Sequence, residues 1–290
     1  MGWRTVLISG RAKLDLKLNN MIVRKEEIYK IHIPEIAILI IESTTVSITT
    51  ALIESLIENK VKIIFSGSDH CPIGEIINYY NKFNCVASIK KQIKWKKQNK
   101  EKVWAEVVKF KIFNQARVLS FIDNDSYNLL TKYIDEVELG DISNREGHAA
   151  KVYFNTLFGK DFSRGMDHPI NAMLNFGYSI LLSIFTREIV SMGYLTQLGI
   201  FHDNQFNYYN LASDFMEILR PIVDNVVFEY MPQKFDKFEK SVVLNILEKN
   251  VKIEGINYTF LNSITVYCKS LFEAIETGDI SLIKFIDYEL

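Results

Sequence analysis

With 290 residues, 48% of them hydrophobic and 24% charged, the chain has the make-up of a globular protein large enough for two domains. A net charge of −1 excludes a uniformly basic or acidic protein, and the apolar run IAILII at 36–41 is too short for a bilayer span, which takes about 20 residues. Cys71, Cys85 and Cys268, odd in number and scattered, exclude a disulfide framework and a paired-cysteine zinc site, and point to a reducing cytoplasm.

The first residues, MGWRTVLISGRAK, hold no apolar core of a signal peptide. TVLIS, LDLKL, MIVRK, IYKIHI and IAILIIE then read as strands. Alternation in LDLKL and IYKIHI buries one face, whereas IAILII calls for cover on both faces. Ile48, Leu52 and Leu56 recur at steps of four, with Ile53 and Ile57 beside them, which predicts a helix. VKIIF at 61–65 is a further strand, and SGSDHCPIG reads as a loop and a domain boundary.

From about residue 76 the pattern is helical. Residues 90–118 hold ten Lys/Arg and two Glu, a local charge of +8, so the remainder carries −9. Val103, Val107, Phe110 and Phe113 mark an apolar helix face here, with Lys94, Lys97, Lys100 and Lys102 near its start. This is either a face for a polyanion or a solvated helix surface. NAMLNFGYSILLSIFTREIV at 171–190 reads as the central buried helix of a bundle, with Gly193 as its stop. The expected class is α+β. A small, sandwich-like β domain spans 1–75, a linker 76–88, and a larger all-helical domain 89–290.

Two stretches carry groups fit for chemistry. In DISNREGHAAKVYFNTLFG, Ser143 and Glu146 match a capping box. Glu146 is also placed at a helix start, where it can face a cation; His148 points elsewhere. In FHDNQFNYYNLASDFMEILRP, His202 and Asp203 lie in a loop, Asp203 as a solvated or capping residue. Asp214 and Glu217 follow at i and i+3, with Cβ atoms on the order of 5–6 Å apart on a helix. They form either an exposed acidic face or a cation site. Arg220 reads first as a helix cap and second as a partner for a carboxylate. One imidazole with carboxylates favours Mg²⁺ or Mn²⁺. There is no nucleophile elbow, P-loop or dinucleotide fingerprint.

SNREGHAAKVYFNTLFGKDF, the long apolar helix and LTQLGIFHDNQFNYYNLASDFMEILRPIVD together resemble the CRISPR-associated integrase of the adaptation module, the Cas-one family. The opening MGWRTVLISGRAKL and the blocks IKKQIKWKK and KEKVWAEVVKFKIFNQ resemble its type II branch, so the likeness runs the length of the chain. It implies a homodimer, two of which flank a dimer of the small Cas-two protein. It also implies capture of short duplex DNA and its insertion at the leader end of a CRISPR array, with DNA cleavage as a side reaction. The implied metal ligands are Glu146, His202 and Glu217, with Asp214 as an additional acidic position and Mg²⁺ or Mn²⁺ as the ion. Some members carry Asp where this chain has Glu217. Lys90, Lys94 and Lys97 become part of a track for the DNA backbone. A type II effector nuclease and an accessory adaptation protein are further implied partners, in the cytoplasm and away from membranes. Two other readings stay open: a catalytically silent DNA-binding scaffold, and a metal nuclease acting alone in repair.

Overall fold

The computed structural model describes residues 2, 4–67, 72–76 and 85–289, so Cys71 and most of the expected linker lie outside the described residues. The chain divides into two compact units, Met1–Tyr80 and Asn81–Leu290.

The first unit holds two four-stranded sheets. One runs β1 (Arg4–Ile8), β5 (Ile36–Ile41), β7 (Lys62–Ser66), β8 (Pro72–Glu75); the first three are parallel and β8 is antiparallel to β7. The other is ordered β4 (Ile28–His32), β3 (Asn20–Arg24), β2 (Ala12–Lys17), β6 (Val46–Ile48). Every residue of β5 is buried, as expected for a strand covered on both faces. Leu18 and Asn19, both at positive φ, close the two-residue turn between β2 and β3, the hairpin turn whose twist matches its strands. Helix α1 (Thr50–Glu58) starts where the Thr49 side chain accepts from the Leu52 N–H. Its Leu52 and Leu56 join Val6, Leu14, Met21, Leu39 and Ile63 in one core fed by both sheets. Local pattern does not announce β6 or β8, and β8 falls in the Gly/Pro-rich stretch that reads as a loop.

The second unit is mostly helical: α2 (Cys85–Ile93), α3 (Lys97–Leu119), α4 (Asn124–Asp135), α5 (Arg145–Phe158), α6 (Pro169–Ser191), α7 (Asn210–Met216), α8 (Arg220–Tyr230), α9 (Lys237–Leu244) and α10 (Phe260–Thr277). It is not all-helical, however. A hairpin of β9 (Asn250–Ile253) and β10 (Ile256–Thr259) turns through Glu254 and Gly255, both at positive φ. Helix α6 is the expected apolar one, and 72% of its most apolar window is buried inside the unit. Pro169 sits in its first turn, where an N–H is not needed. It stops in a Schellman motif: Gly193 N–H bonds to Val190 O, Tyr194 N–H to Ile189 O, and Gly193 takes φ 82°. Helix α3 buries Val103, Trp104, Val107, Val108, Ile112 and Gln115, while Phe113 is exposed. Its apolar face is therefore rotated away from the one read through Phe113, and Lys111 lies on the buried side.

Candidate active site

Glu146 opens α5, but the expected capping box is absent. Asn144 is the N-cap, at φ 52°, and its side chain accepts from the Gly147 N–H at 3.3 Å. Asp141 reaches in from the preceding turn and accepts from the N–H groups of Arg145 (2.8 Å) and Glu146 (3.0 Å). Ser143 instead donates to the Glu136 carbonyl. The left-handed Asn144 moves the helix start one residue on, so Ser143 cannot cap it. The Glu146 carboxylate is thereby released from the backbone, and its Oε1 lies 2.6 Å from the Lys111 ammonium.

Asp214 and Glu217 are 0% and 3% exposed, which removes the exposed acidic face. They do not share one continuous helix either. Glu217–Leu219 is a 3₁₀ turn between α7 and α8, and Pro221 lacks the N–H needed to continue the ladder through it. Glu217 Oε2 accepts from Lys111 Nζ at 2.5 Å. Its Oε1 lies 2.7 Å from Arg220 Nε as an ion pair, and the guanidinium stacks 4.6 Å from the centroid of Tyr178. Arg220 thus pairs with a carboxylate, contrary to the preferred reading as a cap.

Asp214 turns the other way, into the loop that carries His202. Its Oδ2 accepts from the N–H groups of Ile200 (2.7 Å) and Phe201 (3.0 Å), and its Oδ1 from that of His202 (3.1 Å). Oδ1 also bonds His202 Nδ1 at 2.6 Å. This fixes the imidazole with Nδ1 toward the carboxylate and leaves Nε2 for a ligand. Gly199 permits the closeness: a Cβ there would overlap His202 O and come within 2.7 Å of Asp214 Oδ2. Trp104 stacks on Phe201 at 4.4 Å and meets the His202 ring edge-on. Gln92 on α2 clasps the same loop, accepting from Leu195 N–H and donating to the carbonyls of Leu195 and Leu198. Lys100 donates to the Gly199 carbonyl.

Burial alone would raise the Glu217 carboxyl; Arg220 and then Lys111 outweigh it and hold it below the usual carboxylate range. Burial likewise opposes charge on Lys111, and Glu217 and Glu146 overcome it. His202 is raised by its bond to Asp214, with smaller contributions from Glu217 and Glu146, so its ring lies within the field of both. Burial pushes Asp224 up to about 7; it accepts from Tyr178 OH beneath the Arg220 stack.

The structure therefore draws Glu146 and Glu217 onto one point and sets an oriented imidazole within their field. That is the donor chemistry of a hard or borderline divalent ion. As they stand, no three His, Cys, Asp or Glu side chains among the described residues converge to chelate an ion. Lys111 holds the shared point. In the sequence it registers only as part of the basic segment, although its place on the Val107/Val108/Ile112 face of α3 is visible in the periodicity. Trp104 lies on the same periodic face of α3, whereas Gln92 carries no such signal.

Lys90 on α2, Lys94 just after it and Lys97 at the head of α3 are all exposed; Lys97 is 3.7 Å from Glu101. The segment 90–118 is not one continuous cationic strip, because Lys111 turns inward and Arg117 pairs with Asp287 and the Tyr288 carbonyl.

The family description "CRISPR associated protein Cas1" matches residues 6–252. The CRISPR-associated endonuclease Cas1 of Neisseria meningitidis is 32% identical over 271 residues, covering 91% of this chain and 89% of that protein. Among solved structures, a casposase bound to its integration product superposes with a TM-score of 0.79 at 19% identity, covering 95% of this chain and 91% of that one. A chain of a Cas6-RT-Cas1–Cas2 complex gives 0.75 at 18% identity, over 97% of this chain and 36% of that longer one. These last two show the shared fold. On the extent of the family match and of the Neisseria alignment, the chain belongs to the Cas1 family of CRISPR-associated proteins.

Proposed function

We propose that this chain is a metal-dependent DNA integrase of CRISPR adaptation, which inserts short duplex DNA at the leader end of a CRISPR array and also cleaves DNA. One observation carries the reading: Glu146 and Glu217 meet at a single cationic point, 2.6 and 2.5 Å from it, with His202 aligned by Asp214 in their field. The names of similar proteins support it. The Neisseria relative is an endonuclease, the casposase is bound to an integration product, and another fold neighbour lies in a complex with Cas2. A catalytically silent scaffold has no use for such a constellation.

In the reaction a 3′-hydroxyl of the incoming DNA attacks a phosphodiester of the array. One P–O bond forms as one breaks, so no external energy source is needed. Glu146, His202 through Nε2 and Glu217 are the residues that would hold Mg²⁺ or Mn²⁺. The ion's chemistry is to polarise a phosphate oxygen and offset charge in the transition state. Asp214 positions the imidazole and Arg220 positions the Glu217 carboxylate. Lys90, Lys94 and Lys97 hold the DNA backbone. Two homodimers flanking a Cas2 dimer, placement in the type II branch, a type II effector nuclease and accessory protein as further partners, and a reducing cytoplasm complete the reading.

The test is His202→Ala, assayed with Cas2, a short duplex and an array target in Mn²⁺. The variant should fold, dimerise and bind DNA, and join no strands. Near-normal joining by the folded variant would remove His202 from the site.

A further inference from the structure

The proposed reaction gives Lys111 no task, yet Lys111 is a buried charge that bonds both of the proposed ligand carboxylates. Its side chain is 8% exposed, with the ammonium within hydrogen-bond reach of both Glu146 and Glu217. Its position on α3 explains how it comes to be there. Val107, Val108, Ile112 and Gln115 surround it on the buried side of the helix, so its stem runs through packed core toward the two carboxylates. An isolated lysine so placed would lose its charge. Two carboxylates so close would repel each other without a cation between them. Each stabilises the other's charged form. The second oxygen of Glu217 already faces Arg220, so both of its oxygens meet positive groups.

Two cations cannot occupy one point. We propose that Lys111 is a built-in counter-cation that competes with the divalent ion for Glu146 and Glu217, and that the ion enters only as the ammonium withdraws. This rests on the reading of those two carboxylates as metal ligands. Lysine suits the role because its charge is compact and its four-carbon stem is flexible; a planar guanidinium would lock onto the carboxylates and stay. Before the ion arrives, Lys111 keeps the carboxylates converged, which makes it a positioning residue for the metal site.

The test is calorimetric Mn²⁺ titration of the full chain as wild type, Lys111→Met, Lys111→Arg and Glu146→Gln, with melting curves in the absence and presence of Mn²⁺. Lys111→Met should bind Mn²⁺ about tenfold tighter or more, because a like-charge neighbour is removed. Its melting temperature without Mn²⁺ should fall, and Mn²⁺ should raise it by more than in wild type. Lys111→Arg should bind no tighter than wild type. A Lys111→Met protein that binds Mn²⁺ as wild type does, or more weakly, overturns the proposal. Wild-type crystals soaked in Mn²⁺ need no substitution to fold. An ion on Glu146 and Glu217 with the Lys111 ammonium displaced from at least one of them supports the proposal; an ion with both ammonium bonds kept overturns it. If neither wild type nor Lys111→Met takes up Mn²⁺, or Glu146→Gln takes it up as well as wild type does, the ligand reading itself fails and the proposal falls with it.

Discussion

His202 Nδ1 lies 2.6 Å from Asp214 Oδ1, and the same carboxylate accepts three backbone N–H groups of the loop that carries the histidine. One buried side chain thus sets the course of the loop and the orientation of the ring. Asp214→Asn puts an N–H₂ against those donors. It should cost about 2–3 kcal/mol of stability and weaken Mn²⁺ binding about 10–100-fold, the usual effect of losing the group behind a metal-binding histidine. Gly199→Ala tests the same unit from the other side, because its methyl would enter the space held by Asp214 Oδ2 and His202 O. A loss of about 1–3 kcal/mol is expected. Melts and calorimetry check both variants, and unaltered Mn²⁺ affinity in Asp214→Asn would separate the carboxylate from the metal site.

Glu146 and Asn144 divide structure from chemistry at the start of α5. Asn144 is the cap, so Asn144→Ala should cost about 1–2 kcal/mol, part of it from placing Ala at a left-handed φ. It should keep most strand joining. Glu146→Gln keeps size and helix start but removes the negative charge, so it should melt within a few degrees of wild type and join no DNA. Wild-type joining by Glu146→Gln would dismiss Glu146 as a ligand.

Lys90, Lys94 and Lys97 are exposed and close in sequence to the residues that clasp the His202 loop. Reversing all three to Glu should weaken duplex binding and flatten the log-affinity against log-salt slope by roughly 0.9 for each phosphate no longer neutralised. The readout is affinity across a salt series. An identical slope would assign these lysines to solvent.

Asp224 should leave a signature in the pH dependence of stability. Burial pushes its carboxyl up to about 7 in the fold from an ordinary 3.8. A group raised in this way favours the folded state fully at pH below its unfolded value. That contribution is lost as pH climbs through about 7, with a ceiling on the order of 4 kcal/mol. Asp224→Asn cannot titrate, so its melting temperature should fall less than that of wild type between pH 5 and pH 8. Parallel profiles for the two proteins would show that Asp224 does not titrate in that range.

The strands of the first unit are legible because alternation and β-branched runs are local signals, and β5 announces its burial by having no polar residue at all. Strand β8 is not, because Gly and Pro argue for a loop while pairing with β7 decides otherwise. At the site, the identities of Glu146, His202, Asp214 and Glu217 stand out, but their arrangement does not. The capping box is lost to a left-handed Asn144, which spacing does not reveal. Spacing puts the acidic pair on one helix face; a 3₁₀ turn sends one carboxylate to the histidine loop and the other to α3. Lys111 meets partners 35 and 106 residues away in sequence, so its role follows from tertiary packing that no local pattern encodes.

The grip of Gln92 on Leu195 and Leu198 has a mechanical meaning. The helix that presents Lys90 also braces the segment leading to His202, and Lys100 ties the next helix to Gly199. A strand held by the exposed lysines would pull on the same scaffold that carries the imidazole, so tension on one is borne by the other. On the proposed function, with the lysines holding a strand and the imidazole serving the reacting point, the offset between the two would belong to the protein and work as a gauge: the place where a bond is made would be measured from the place where the strand is held.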